Sequence, residues 1–111
     1  MENENNRNIT NLIRDIVFYY TKYYYDKHLQ SNNITTIEEE SVPDFVNNLY
    51  ELKHKTMKDY IRKSLKENLK EKYDKLVVEN ILMEMFEDIN YCKTRMVEEI
   101  KLYQKQQLEM N

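Results

Sequence analysis

Four cations stand at regular steps of four in the middle of the chain: Lys58, Arg62, Lys66 and Lys70. On a helix this spacing stacks them into one ridge. A cationic ridge can follow a nucleic-acid backbone, each charge neutralising about one phosphate. Lys55, Lys63 and Lys72 widen the field. Asp59, Glu67, Glu71 and Asp74 interleave with the ridge and dilute it. No glycine loop, recognition module or zinc-finger spacing accompanies it. A solvated helix face uses the same residues. Nucleic-acid contact through Lys55, Lys58, Arg62, Lys66 and Lys70 is therefore the alternative reading, not the leading one.

The run Tyr19-Tyr20-Thr21-Lys22-Tyr23-Tyr24-Tyr25 offers rings on which unpaired bases could stack. Helical geometry assigns Tyr20, Tyr23 and Tyr24 to the core side with Ile13 and Ile16. Phe18, Tyr25 and Leu29 fall on the opposite side, with Lys22 among them. Tyrosine is enriched at protein interfaces, so Phe18, Lys22, Tyr25 and Leu29 are expected to form a partner-facing surface.

Glu51 and His54 have the i, i+3 spacing that di-iron bundles use twice per site, but a second copy is missing, and both lie opposite the Phe45/Leu49/Leu52 stripe. Cys92 sits at a core position without a second cysteine, where a buried, inert thiol is expected. No phosphate loop, Ser-His-Asp set or paired-cysteine motif is present. The expectation is a non-enzymatic chain with no metal and no cofactor.

These residues are positioned by helices. The chain of 111 residues has no glycine, no alanine and one proline, Pro43. The tight turns of hairpins are thereby disfavoured. The first helix is expected from about Asn8 to Leu29, with Ile9, Leu12, Ile13, Ile16, Val17, Tyr20, Tyr23 and Tyr24 on one face. A helix apolar on both sides is central in its domain or packed on another chain.

Ser41-Val42-Pro43-Asp44 starts the second helix, with Ser41 as cap and Pro43 in the first turn. Its stripe Phe45, Leu49, Leu52 fails at His54, and Met57, Ile61, Leu65 and Leu69 lie on a rotated face. Thr56-Met57-Lys58-Asp59 resembles a capping box, which predicts a kink or break near 54–56. The last helix is expected over about 74–107, roughly 50 Å long. Val78, Leu82, Met85, Ile89, Cys92 and Met96 alternate along it in coiled-coil steps of four and three.

The fold class is therefore all-α: a single domain over 1–111, about four helices in an up-down bundle, with 1–7 and 108–111 frayed. Phe, Tyr, Met, Ile, Asn and Lys, whose codons are AT-rich, dominate the composition. An AT-rich genome is implied, a large DNA virus being one source that fits. The net charge of −3 gives no overall bias toward nucleic acid. The single cysteine and the acidic, Asn-rich start suggest an intracellular setting, cytoplasmic or nuclear, or a host cell or virion if viral. No membrane span is expected. The leading functional expectation is an interaction or assembly subunit, a homo-oligomer or a partner of another subunit.

Overall fold

A computed structural model describes the backbone over residues 4–110 and the side chains over residues 7–109, Ile89 excepted. Four α-helices follow one another: α1 (Glu4–Asn32), α2 (Val42–Leu69), α3 (Lys75–Glu87) and α4 (Ile89–Met110). No strand occurs among the described residues. Of the residues expected to fray, 4–7 and 108–110 belong to α1 and α4, whereas 1–3 and 111 lie outside the described residues.

With no glycine, the chain turns on other residues. Asn33 ends α1 at φ 54°, a conformation that asparagine tolerates better than most residues. There the amide of Ile34 donates to the carbonyl of Leu29 at 3.0 Å, closing the last turn. Lys70 ends α2 at φ 52° and ψ −115°, where a side chain with a Cβ costs on the order of 1 kcal/mol. Ser41 stands at the α2 N-cap position, but its side chain makes no capping hydrogen bond. A short 3₁₀ turn, Glu39–Ser41, leads the chain into the helix instead.

The expected break near 54–56 does not occur. α2 runs unbroken through Thr56, and Met57, Ile61 and Leu65 are almost completely buried. The rotation of its stripe is a change of neighbour. Before it, Tyr50 lies under Lys93 of α4; after it, Arg62 meets Glu79 of α3. The expected single helix over 74–107 is instead interrupted at Asp88, at φ −93° and ψ 89°. Asp88 then caps α4, its carboxylate accepting from the amide of Tyr91 at 3.0 Å. Asp74 does the same for α3, accepting from Leu76 and Val77.

Contacts give the helix directions. On α1 and α2, Tyr20 lies by Tyr60 and Tyr25 by Phe45, so these helices are antiparallel. Along α2, Arg62, Lys58, Tyr50 and Phe45 face progressively later parts of the chain. Glu79 and Phe86 of α3 come first, and Lys93 and, by way of Tyr25, Tyr103 of α4 follow. α3 and α4 therefore run the same way, two halves of one bent rod. The up-down order of four helices gives way to three rods, α1, α2 and the α3–α4 rod, each packed on the other two, with α2 and α4 in direct contact. The core joins Ile13 of α1, Val46, Met57, Ile61 and Leu65 of α2, Val78 and Leu82 of α3, and Met96 and Ile100 of α4. The coiled-coil-like stripe thus faces its own chain. Its member Ile89 has a side chain outside the described residues.

Candidate functional site

Packing of α1 on both α2 and α4 covers part of the face expected to point outward, while Tyr20 is buried as expected. Tyr25, expected on an outer face, is only 2% exposed. Its hydroxyl donates to Gln104 Oε1 of α4, and that same oxygen accepts the amide of Ile37 at 2.8 Å. One buried amide thus ties α1, α4 and the 33–38 loop together, and burial beside Asp26 and Tyr103 pushes the Tyr25 phenol up to about 12. Lys22 lies over the Tyr103 ring, 4.6 Å from its centre. The Tyr103 hydroxyl donates to Asp26 at 3.2 Å. Leu29 packs half-buried against the core, and Phe18 lines a cleft against α3 and α4. The four residues expected to meet a partner are covered, wholly or in part, by α4 and α2 of their own chain. A helical wheel separates the two faces of α1 but does not say what covers each.

The reverse holds across the α1–α2 seam. Tyr23 and Leu52, expected in the core, are 46% and 78% exposed. Tyr19 and Tyr60 are exposed as well. Tyr19 and Tyr23 are one helical turn apart on α1. The rings form a chain of contacts: Tyr23 edge-on to Tyr24 at 5.2 Å, Tyr24 to Tyr20 at 4.9 Å, Tyr20 to Tyr60 at 5.7 Å. Lys27 and Lys53 sit over Tyr23 and Tyr24. The Tyr20 hydroxyl is buried without a hydrogen-bond partner in the described residues, and burial raises its pKa. Beside this strip a groove of about 440 Å³ opens between α1 and α2, lined by Tyr24, His28, Ile37, Phe45, Leu49 and Leu52 among others. The i, i+4 pair Tyr19/Tyr23 was a visible sequence signal for this face. Leu52 gave none, because its spacing matches the core stripe.

The basic ridge lies along the α2–α3 seam, and three of its cations are engaged internally. Arg62 grips both carboxylate oxygens of Glu79, Nε at 2.6 Å and Nη2 at 3.0 Å, and reaches Asp59 with Nη1 at 2.8 Å. The pairing raises the Arg62 pKa and holds the Glu79 carboxyl below its usual range. Lys58 sits over the Phe86 ring and Lys66 over Tyr73. Lys55 and Lys70 are exposed. Residues 53–75 hold nine Lys or Arg against four acids, and 76–100 six acids against Lys93 and Arg95; the Arg62–Glu79 pair uses that asymmetry to hold α2 against α3.

His54 stacks on Tyr50, its Nδ1 2.9 Å from the Tyr50 carbonyl, while Glu51 points to solvent. Among the described residues, no three His, Cys, Asp or Glu side chains gather as a metal site would require. Burial pushes the Cys92 thiol up to about 11, so it stays protonated near neutral pH. No described helix is long and apolar enough to cross a membrane. Comparison of the chain with protein-family models, curated proteins and solved structures found no match.

Proposed function

We propose that this chain is a non-enzymatic interaction or assembly subunit whose partner, a second copy or another subunit, seats on the α1–α2 aromatic face. One observation carries the reading: Tyr19 and Tyr23 of α1 and Leu52 and Tyr60 of α2 remain exposed, and an open groove lined by Tyr24 and Leu52 lies between the two helices. Tyrosine supplies large contact area at low entropic cost, and aromatic anchors dominate binding energy at interfaces. The flanking Lys27 and Lys53 form a cationic rim, suited to a partner whose apolar anchors are flanked by acids. An intracellular setting, in a host cell or virion if the source is viral, belongs to the same proposal.

The test is the pair Tyr23→Glu and Leu52→Glu, both on exposed side chains, so folding should survive. Light scattering across a concentration series should show an assembly for the parent and a smaller mass for the variant, with helical circular dichroism unchanged. A parent that stays monomeric at high concentration removes self-association. The version with another subunit then requires a protein that co-purifies from the native source with the parent and not with the variant. The alternative, nucleic-acid contact through the 55–72 face, is separated by a salt series with generic duplex and single strands. It requires binding at low salt that falls steeply as salt rises.

A further inference from the structure

A second concave site lies at the elbow between α3 and α4, away from the aromatic face. Where the bent rod changes direction, α1 does not fill the angle, leaving a cleft of about 90 Å³. Val17 and Phe18 of α1, Met85 and Phe86 of α3, and Cys92 and Met96 of α4 form its apolar wall. Thr21 also lines it, but its hydroxyl is already used, donating to the Val17 carbonyl at 2.7 Å. A water needs two to four polar partners to be held, and this wall offers few. Dry apolar cavities of roughly 150 Å³ take up a benzene-sized guest, so this smaller one suits a short aliphatic tail or part of a ring.

The rim is charged. Arg14 of α1 and Arg95 of α4 both border the cleft, with Glu99 beside them. Arg95 is partly neutralised by Glu98 at 3.5 Å and Glu99 at 3.9 Å. Arg14 has no ion pair among the described residues. An apolar pocket with one or two well-placed polar groups is the usual form of a small-molecule site, the polar groups fixing orientation. A free guanidinium favours a carboxylate or phosphate, which it can hold with two parallel hydrogen bonds.

We propose that the α3–α4 elbow binds a small anionic amphiphile, its apolar tail between Phe18, Met85 and Met96 and its acidic head on Arg14. The site is independent of the aromatic face, so either can fail without the other. Cys92 serves as part of the apolar wall, not as a nucleophile.

Methionine methyl groups report directly on this. The chain has six methionines, of which Met85 and Met96 line the cleft whereas Met57 and Met83 do not. Methyl-labelled protein would be titrated with sodium hexanoate, 1-hexanol and hexylammonium chloride. Hexanoate should shift Met85 and Met96 saturably while Met57 and Met83 stay in place. It should bind more tightly than the alcohol, and the alcohol more tightly than the amine. Arg14→Ala, at an exposed position that folding does not need, should weaken hexanoate roughly tenfold and leave hexanol unchanged. Cys92→Phe, which fills the cleft, should abolish binding of both. The proposal is overturned if hexanoate produces no saturable shift, if the shifts spread equally to Met57 and Met83, or if Arg14→Ala leaves the preference for the anion intact.

Discussion

α2 and the α3–α4 rod both carry a helix-start signal in mid-stripe, and only one of them breaks. In α2 the signal is Thr56 with Asp59 three residues later; in the rod it is Asp88. At 1.5 Å per residue, the 28 residues of α2 span about 42 Å, which matches the 43 Å long axis of the molecule. A straight helix over the rod would span about 54 Å and leave more than two turns without a neighbour. α2 can therefore stay unbroken and keep its buried side chains. The rod bends, and Asp88 supplies the amide cap that makes bending inexpensive. A capping motif permits a break; the length available for packing decides whether it happens.

The largest expected effect tests the continuity of α2. Ile61 is fully buried just past the predicted break, so Ile61→Asp should cost about 4 kcal/mol or more, through a charge in the core. A urea midpoint within error of the parent would show that the second half of α2 is not held as described.

Asp88→Ala comes next. Losing the cap should cost about 1 kcal/mol, and the amide of Tyr91 should exchange faster with solvent. If the variant instead gains both helicity and stability, the break is set locally by Asp88, and the length argument fails.

The α2–α3 seam predicts a pH-dependent term. Arg62 holds the Glu79 carboxyl below its usual range, so the folded state favours the ionised form. The stabilisation is present above the unfolded-state pKa and disappears as pH falls through the folded value. Both side chains are 34% exposed, which limits the pair to about 0.5–1 kcal/mol. Glu79→Gln should therefore lower the denaturation midpoint at pH 7 and match the parent well below pH 4. A difference that persists undiminished at low pH would assign the loss to packing.

Thr56→Ala gives the smallest effect and the sharpest contrast with Asp88→Ala. In an unbroken helix Thr56 is an exposed interior residue, and alanine should be neutral or stabilising by a few tenths of a kcal/mol. A loss near 1 kcal/mol would mean that Thr56 does cap a helix, and α2 would have to be read as two.

Much of the fold was legible in the periodicity. The apolar positions of α1, the start of α2 at Val42-Pro43 and the buried stripe Val78, Leu82, Met96, Ile100 follow from 3.6-residue spacing alone. The site was less legible. The sequence shows that α1 is apolar on two sides but not that α4 covers Tyr25 whereas solvent meets Tyr23. Likewise the step from Phe45 to Leu49 to Leu52 looks uniform, yet Leu49 is buried and Leu52 is not. Gln104, whose polar type gave no sign of burial, is a buried hydrogen-bond acceptor that joins three segments.

By itself the sequence determined the helical class, the start of α2, and which stripes on each helix are apolar. These depend on propensity, capping and periodicity, which act over a few residues. Only the tertiary structure decided which stripe is covered and by what, that α2 stays whole while the rod bends, and that the cations of α2 meet acids and rings of α3 and the loop before it. Those outcomes depend on relative lengths and on side chains up to 79 positions apart, such as Tyr25 and Gln104. No local rule contains that information.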